Sequence, residues 1–327
     1  MSKKTPEGAN SDLSVVIVSY NTRDITMECV ASLLKHNGAL NLEIVVVDNC
    51  SSDGSVPALR AAFPMIRVVD SPINGGFAHG NNIGFGHCSG EYILLLNPDT
   101  EVEEQTLKSA LEYLKSNPEV GLVGAKISYP DGTPQNSTIR FLSLKTLFFL
   151  IFLPSKYVVR NRSMGDHRYG SLSSDETSFV DSVMGSFMML PRRILQEVGC
   201  LDDRFFMYGE ECEWCYRIKQ AGYKVAYFPD AKIVHHSGAS TANMSVWRAV
   251  EMTRGHILLL RFTRGPFIAW IGTLMMLFRD FVRLPYYSAQ AVFNRFSWTS
   301  QAEAWWARLK FLTKAIIDLP AGQQLEN

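Results

Sequence analysis

Polar side chains follow four short apolar runs in the first hundred residues, and their chemical types suit ligand binding. These polar positions are Ser19-Tyr20-Asn21, Asp48-Asn49, Asp70 to Asn74 and Asn97-Pro98-Asp99. If the runs are strands of a parallel sheet, the four positions meet at one edge, because such sheets bind ligands outside the carboxyl ends of their strands. Carboxylate and amide oxygens can accept hydrogen bonds there, or bind a hard divalent cation. The sequence therefore predicts one ligand site built from four strand ends.

Several common classes of ligand are disfavoured. No G-x-G-x-x-G follows the first apolar run and no G-x-x-x-x-G-K-[ST] occurs, which argues against nicotinamide or flavin dehydrogenases and P-loop NTPases. Lys plus Arg equals Asp plus Glu at 32 each, so a nucleic-acid partner is not expected. The six cysteines are scattered, which fits a reducing compartment.

The elements that must position the site are short apolar runs alternating with amphipathic stretches. Runs rich in Val, Ile and Leu on both faces, separated by helical stretches, predict an α/β domain with a mainly parallel central sheet. Residues 141–180 are predicted to be mostly irregular, and SFVDSVMGSFMMLP is predicted as a single strand. The stretch FMYGEECEWCYRIKQAG is predicted as a helix that Gly222 ends.

The chain divides into a flexible tail at 1–11, an α/β domain at 12–240 and a helical region at 241–327. Residues 248–315 contain ten Lys or Arg against three Asp or Glu. The longest uninterrupted apolar run of this region, 265–278, is shorter than the roughly 20 residues that a spanning helix needs. The C-terminal region is therefore predicted to lie on a membrane surface rather than to cross it.

Five motifs in order carry a resemblance to a known family: VVIVSYN, VVVDNCSSDGS, NGGFAHGNNIG, ILLLNPDT and FFMYGEECEWCYRIKQAGYKV. Together they resemble the family 2 glycosyltransferases of the GT-A fold, a Rossmann-like nucleotide-sugar-binding fold. The similarity is closest to the rhamnosyltransferase-like group that extends lipid-linked cell-surface glycans. It covers residues 13 to about 240, and it implies an inverting transfer from a nucleotide-sugar donor, with dTDP-rhamnose implied only by the subgroup.

The resemblance assigns the strand ends to the donor and to a divalent metal, Mg²⁺ or Mn²⁺. Asp48 would recognise the nucleotide, although it could instead cap the turn before Gly54. Where the family has Asp-x-Asp, this chain has Asn97 before Asp99, so Asp99 is the charged metal ligand, unless Asn97 to Thr100 is only a turn. The full set of expected donor-binding residues is Ser19, Tyr20, Asn21, Asp48, Asn49, Asn74, Gly76, Asn81, Asn97 and Asp99.

An acidic pair is implied as the catalytic base. Inversion requires one group that removes the proton of the acceptor hydroxyl. Alignment on the family pattern places Glu210 and Glu211 in the pair, with Glu211 on the base position, and either glutamate could serve. Both could alternatively favour the positive end of a helix.

The resemblance also implies roles for side chains near the end of the domain. His236 is favoured over His235 to complete the metal site, and a core or loop histidine is the alternative. Trp214 and Arg217 are expected either on the acceptor side or in helix packing.

The basic, apolar C-terminal region fits a glycan or lipid-linked acceptor held at an anionic membrane, on the cytoplasmic face. In that arrangement arginines sit at the headgroups while Phe, Trp and Leu enter the acyl boundary. The alternative is a helical hairpin packed on the catalytic domain or across a homodimer. Two rival activities also remain: a nucleotidyltransferase, which would need a Gly-rich, Arg-containing loop that SYNTRD lacks, and a degenerate membrane scaffold or glycan binder.

Overall fold

The structure is a computed structural model that describes residues 11–152, 175–236, 245–282 and 298–318. The tail predicted at 1–11 lies almost wholly outside these residues. Residues 153–174 of the segment predicted to be irregular, 141–180, also lie outside the described residues.

Short strands make up the sheet structure of the described residues. They are β1 (Leu13–Ser19), β2 (Leu42–Asp48), β3 (Arg67–Asp70), β4 (Tyr92–Leu96), β5 (Thr100–Val102), β6 (Val120–Ser128), β7 (Pro134–Gln135), β8 (Thr138–Ile139), β9 (Ser178–Val180), β10 (Ser182–Val183), β11 (Phe187–Pro191) and β12 (Lys224–His235).

Helices separate the strands and then fill the C-terminal region. They are α1 (Arg23–Lys35), α2 (Ser55–Ala62), α3 (Gly76–Phe85), α4 (Thr106–Ser116), α5 (Leu144–Phe152), α6 (Arg192–Val198), α7 (Glu210–Gln220), α8 (Ser245–Arg264), α9 (Pro266–Val282) and α10 (Trp298–Asp318).

The first half of the sheet has the predicted parallel arrangement. Strand β1 lies between β2 and β4, and β3 lies at the outer edge, all parallel. The register sets Ser19 opposite Asp48, and Asp48 opposite Asp70. All seven residues of β1 are buried, as expected for a central strand covered on both faces. The carboxyl ends of the strands therefore meet at one edge, as the sequence predicts.

The second half corrects the prediction of a mainly parallel sheet, because the sheet is mixed. Strand β11 inserts antiparallel between β4 and β6, and β5 runs antiparallel to β12, whereas β12 is parallel to β6. Strand β11 is buried at every position. An apolar run of this kind fits either strand direction, so its sequence carries no sign of the reversal.

Two local predictions are also corrected. Part of the stretch predicted to be irregular forms helix α5, which begins where the amide of Thr146 donates to Ser143 Oγ at 3.1 Å, an N-cap bond. The single strand predicted from SFVDSVMGSFMMLP is broken into β9, β10 and β11. The break places Gly185 and Ser186 in the connection between β10 and β11, where the Ser186 carbonyl accepts from the Asn97 amide.

Apolar side chains pack in three clusters. One lies between the sheet and α1 and α4, and a second lies on the opposite face against α3 and α7. The third joins α5 and the start of α7 to the C-terminal helices; it includes Leu147, Phe205, Cys212, Leu260 and Leu312. The described C-terminal helices therefore share a core with the α/β domain, which is the packed arrangement that the sequence left open.

A buried charge cluster holds two of these C-terminal helices together. Asp280 of α9 is fully buried and accepts from Arg308 of α10 at 2.8 and 3.0 Å, and from Arg279 at 2.9 Å. The indole N–H of Trp305 donates to the Asp280 carbonyl at 2.9 Å. Within the described ranges, no helix combines the length and apolar character needed to cross a membrane.

Candidate active site

The end of β1 is tied to the loop that follows β2. Ser19 is buried, and its hydroxyl lies 3.0 and 3.1 Å from those of Thr22 and Thr26 at the start of α1. Asn21 has a left-handed φ of 51°; its amide donates to Ser51 Oγ at 2.9 Å, and its side-chain oxygen accepts from the Ser52 amide at 2.8 Å. Ser19 thus supports the helix start, and Tyr20, which is half-buried, lies between it and the exposed Asn21.

Asp48 has one satisfied and one unsatisfied carboxylate oxygen. The carboxylate is buried, and Oδ2 accepts from the Ser51 amide at 2.8 Å. Oδ1 has no hydrogen-bond partner among the described residues. Buried polar atoms are normally paired, so Oδ1 is suited to accept a hydrogen bond from a ligand. The capping role and the binding role considered for Asp48 therefore occupy different oxygens.

A network of amides shapes the loop before α3. The Asn49 side-chain nitrogen donates to Asn74 Oδ1 and to the Gly76 carbonyl, each at 3.0 Å. Gly76 has a φ of 85°, and a Cβ there would overlap the carbonyl oxygen of Phe206. Asn81 is buried and donates to the Phe77 carbonyl at 2.9 Å. Asn49, Asn74 and Gly76 thus form the loop, whereas Asn81 braces the helix behind it.

Asp99 faces a histidine at the opposite side of the strand edge. Its Oδ1 lies 3.2 Å from His235 Nε2, and the side chains of both residues are nine-tenths buried or more. His235 Nδ1 lies 2.6 Å from Gln135 Oε1. An amide oxygen only accepts hydrogen bonds, so Nδ1 is the donor in this contact and Nε2 is the ring nitrogen that faces Asp99. Asn97 Nδ2, 3.3 Å away, also faces Nε2.

His236, the histidine that the sequence favoured as a metal ligand, points elsewhere. Its Nε2 lies 2.7 Å from Glu101 Oε1, and only its backbone amide contacts Asp99, donating to the carbonyl oxygen at 2.9 Å. The structure brings His235 to the Asp99 carboxylate instead. A metal role for His236 stays a prediction.

The chemistry of the Asp99 and His235 pair fits a divalent cation. Nowhere in the described ranges do three His, Cys, Asp or Glu side chains group into a metal cluster. Two donors in adjacent positions of an octahedral ion with bonds of about 2.0–2.2 Å lie about 3 Å apart, close to the observed separation. A carboxylate with an imidazole suits Mn²⁺, and a two-residue set leaves positions for substrate oxygens.

The acidic pair begins α7 after two residues with left-handed φ, Tyr208 at 72° and Gly209 at 112°. Glu210 is buried, and its Oε2 has no hydrogen-bond partner among the described residues. Burial, then Glu211, then Glu251 raise the pKa of Glu210 well above its usual value. The raised pKa means that the buried Glu210 carboxyl favours its protonated form more than an exposed glutamate does.

Residues 185–186 connect Glu211 to the loop that carries Asn97 and Asp99. Glu211 is only half-buried, and its Oε2 accepts from the Gly209 amide at 3.0 Å. A Cβ on Gly185 would lie 3.9 Å from the Glu211 Cβ and 3.5 Å from the Phe77 ring. The neighbouring Ser186 carbonyl accepts from the Asn97 amide at 3.2 Å. The base candidate and the metal candidates therefore adjoin through residues 185–186.

Trp214 and Arg217 take positions that fit the packing role. Trp214 is fully buried, and its indole N–H donates to the Gly199 carbonyl at 2.9 Å. Arg217 donates to the Val198 and Cys200 carbonyls, each at 2.7 Å, and pairs with Glu213 at 2.7 Å. Both side chains hold the turn after α6, and Arg217 also lines an open pocket of about 490 Å³.

Three residues near the site were not singled out from the sequence: Gln135, Glu251 and Gly255. Gln135 comes from a two-residue strand, and the other two come from the C-terminal region. Each of them interacts with a residue of the site that lies more than 35 positions away in the sequence. No local pattern marks them, so only the folded chain identifies them.

The chain belongs to glycosyltransferase family 2. A match to the family described as Glycosyl transferase family 2 spans residues 14–198, more than half of the chain. The activity is therefore that of a glycosyltransferase, and the resemblance drawn from the five motifs is confirmed.

The chain is also similar to particular proteins. A low-salt glycan biosynthesis hexosyltransferase of Haloferax volcanii is 28% identical, and the aligned part spans 69% of this chain and 67% of that protein. An N-acetylglucosaminyl-diphospho-decaprenol L-rhamnosyltransferase of Mycobacterium tuberculosis is 26% identical, and the aligned part spans 70% of this chain and 77% of that protein. The solved mannosyltransferase of Pyrobaculum calidifontis, in complex with GDP-Man and Mn²⁺, is 17% identical, covers 97% and 91%, and has a TM-score of 0.53. This last likeness shows the α/β GT-A fold.

Proposed function

We propose that the protein is an inverting, metal-dependent glycosyltransferase that moves rhamnose from dTDP-rhamnose to a lipid-linked glycan acceptor. One observation carries this proposal. A half-exposed glutamate, Glu211, adjoins the loop of Asp99, and its neighbour Glu210 is buried with a raised pKa. This arrangement supplies one charged base beside a site for the donor diphosphate.

The donor nucleotide would lie over the ends of β1 and β2. Asp48 Oδ1, which lacks a protein donor among the described residues, would accept from an N–H or O–H group of the base or ribose. The ring of contacts among Asn21, Ser51 and Ser52 holds the loop around that carboxylate. The nucleotide would therefore meet a site whose shape is set before it binds.

The diphosphate would lie near Asp99 and His235, which are the residues that would hold the divalent cation. When bound, such an ion stabilises the charge that develops on a diphosphate leaving group. Gln135 accepts from His235 Nδ1 and so holds the ring with Nε2 toward Asp99. His236 is held by Glu101 on the exposed side of this pair.

Glu211 would act at the acceptor. As general base it takes the proton of the acceptor hydroxyl as that oxygen attacks the anomeric carbon, opposite the leaving diphosphate. Attack on that face inverts the anomeric configuration. Glu210 would remain protonated beside it, so the pair carries a single charge.

The identity of the sugar and of the acceptor is proposed from the relatives. The mycobacterial relative is named as an L-rhamnosyltransferase acting on a diphospho-decaprenol glycolipid, and a dTDP-rhamnosyl transferase of Shigella flexneri is 24% identical over 79% of this chain. These names support rhamnose and a lipid diphosphate as partners for this chain.

A transfer assay tests the proposal. The purified chain is incubated with dTDP-rhamnose, UDP- and GDP-sugars in turn, a polyprenyl-diphosphate glycolipid, and Mg²⁺ or Mn²⁺. We expect release of dTDP and a product of inverted configuration by NMR, lost on addition of EDTA. Release of another nucleotide diphosphate would reassign the donor, and absence of transfer with every donor would contradict the activity.

We also propose that the C-terminal helices attach the protein to the cytoplasmic face of an anionic membrane. Phe267, Leu274 and Phe281 of α9 are exposed and spaced by seven residues, so they lie along one face of the helix. The region is basic, and a basic residue near an anionic leaflet contributes about 1 kcal/mol. Apolar contact and charge would therefore act together.

Liposome co-sedimentation tests this attachment. Removing residues 241–327 would expose the third apolar cluster, so point variants are better than truncation. The double variant Phe267→Ser, Phe281→Ser should sediment less with anionic vesicles, and wild-type sedimentation should fall at high salt. Phe179→Ser, which changes an exposed phenylalanine of the catalytic domain, is the control. Equal sedimentation of all three proteins would remove the proposed role of this face.

A further inference from the structure

The segment just before the acidic pair contacts two elements that lie far from it in the sequence, one on each side. The 205–209 segment lies directly ahead of Glu210 and Glu211. On one side, the Phe77 amide of α3 donates to the Phe206 carbonyl at 2.8 Å, and Gly76 allows this approach. On the other side lies helix α8 of the C-terminal region.

Helix α8 meets this segment backbone to backbone at Gly255. A Cβ added to Gly255 would overlap the carbonyl oxygen of Tyr208 and lie 3.0 Å from its carbonyl carbon. In the reverse direction, a Cβ on Gly209 would lie 3.4 Å from the Gly255 carbonyl oxygen. At Gly255 the obstacle is main chain, which cannot turn aside as a side chain can, whereas a Cβ on Gly209 would first meet the Phe205 ring at 3.1 Å. Any larger residue at 255 must therefore displace the 205–209 segment or the helix.

Aromatic contacts along α8 extend the same interface. Trp247 meets Phe206 edge-on, with ring centroids 5.5 Å apart, and Phe262 lies 6.0 Å from Phe205. The guanidinium of Arg248 lies 5.9 Å from the Tyr208 ring centroid. Helix α8 thus contacts the 205–209 segment from its first turns, from its middle and from its last turns.

We propose that helix α8 is a working part of the catalytic site, in which Gly255 is a positioning residue that sets Glu211 through the 205–209 segment. This inference rests on the proposed base role of Glu211. Tyr208 has a left-handed φ, which is strained for a residue other than glycine and persists only where the surroundings fix it. The contact at Gly255 supplies that constraint, since α8 presses on the carbonyl of Tyr208 itself.

The inference gives the C-terminal region a role in the chemistry as well as at the membrane. Helix α8 also brings Glu251, paired with Arg254 at 3.8 Å, to the buried side of the acidic pair. A donor sugar can bind without this helix in place, because Asp48 and Asp99 stand on other elements. The acceptor proton can be removed only when the helix holds Glu211 in reach.

Gly255→Ala tests the proposal, with Gly272→Ala as the matched control. A Cβ at Gly272 of α9 meets only the ends of leucine side chains, the nearest being Leu260 of α8, and these can turn aside where main chain cannot. We expect Gly255→Ala to lower kcat on the order of 100-fold, the scale that a misplacement of about 1 Å causes, while donor affinity by calorimetry stays near wild type. Gly272→Ala should keep both. Amide exchange in residues 205–213 should rise only in Gly255→Ala.

Circular dichroism and gel filtration establish whether Gly255→Ala folds. If it does not, Trp247→Leu replaces it; this variant removes the ring contact to Phe206, and it should lower kcat about 3- to 10-fold, the scale of one aromatic pair. Wild-type kcat and unchanged exchange in the folded variant would overturn the positioning role, and so would an equal loss in Gly272→Ala. Absence of transfer by the wild-type chain would instead contradict the proposed function. Amide exchange in Gly255→Ala would then still test whether Gly255 fixes the 205–209 segment.

Discussion

The two halves of the sheet are built in different ways. From β1 to β4 the strands are parallel, and the polar residues at their ends bond to the next loop along the edge. From β5 to β12 the sheet is mixed, because β11 and β5 run antiparallel to their neighbours whereas β12 is parallel to β6. Here the reactive side chains meet partners from far along the chain, such as His235 with Gln135 and with Asp99.

In the proposed function, this difference corresponds to a division between donor binding and proton transfer. The parallel half offers Asp48 with one oxygen held and one left for a ligand, which is what binding requires. The mixed half places a buried acid, Glu210, against a half-exposed one, Glu211, which is what proton transfer requires. Neighbouring loops can build a binding site, whereas raising the pKa of one carboxyl group of a pair needs an interior that only tertiary packing provides.

The largest effect expected on either half is that of Glu211→Gln. Gln keeps the shape of the side chain but cannot take a proton, so transfer should fall roughly 100- to 10,000-fold while donor binding persists. Steady-state transfer kinetics measure the loss. Glu210→Gln is the control and should stay active, because Gln resembles the protonated carboxyl. An inactive Glu210→Gln beside an active Glu211→Gln would exchange the two roles.

The metal site is tested next, at the boundary of the two halves. Asp99→Asn should weaken Mn²⁺ binding on the order of 100-fold, because it removes the charged ligand. His235→Asn should also weaken binding, and His236→Asn should not, since His236 faces Glu101. Electron paramagnetic resonance of free Mn²⁺ gives the affinities without reference to activity. Weaker binding in His236→Asn than in His235→Asn would restore the sequence-based choice of His236.

A smaller effect is expected from Asp48→Asn in the parallel half. The change keeps the shape but replaces one acceptor oxygen by a donor, so donor KM should rise about 10-fold, the scale of a lost hydrogen bond to a charged group. The kcat at saturating donor should change little, because Glu211 is untouched. A reduced kcat with unchanged KM would place Asp48 in the chemistry instead of the binding.

The smallest effect concerns stability. Because the pKa of Glu210 is raised above 4.5, the native state retains a proton that the unfolded chain releases, so stability falls as pH rises through that window. Gln carries no such proton, so Glu210→Gln should raise Tm by a few degrees, about 2–4 °C per kcal/mol, at neutral pH and by less near pH 4.5. Thermal denaturation at several pH values measures this. A gain that grows toward low pH would contradict the burial of a protonated acid.

The sequence predicts the parallel half well because its signals are local. Strands β1 to β4 appear as runs of buried Val, Ile and Leu, and the register then brings Ser19, Asp48 and Asp70 to one edge without further information. The family itself was recognised from motifs that lie mainly at these strand ends and at the start of α7. The placement of Glu210 and Glu211 at a helix start also follows from the motif.

The mixed half was predicted less fully because its determinants are not local. The apolar run of β11 fits either direction, so the reversal could not be read from it. The choice between His235 and His236 depends on which side of β12 faces Asp99, and the irregular pairing of that strand with β6 conceals this. Gly255 touches Tyr208 from 47 positions away, and no pattern in the sequence links the two.

The division between a donor-binding half and a proton-transferring half is tested most directly by calorimetric titration of dTDP-rhamnose, with Mn²⁺ present, into wild type, Asp48→Asn and Glu211→Gln. The account predicts that Glu211→Gln binds the donor as wild type does, although it no longer transfers the sugar, and that Asp48→Asn binds about 10-fold more weakly. Equal weakening in both variants, or wild-type binding by Asp48→Asn together with loss of binding by Glu211→Gln, would contradict it.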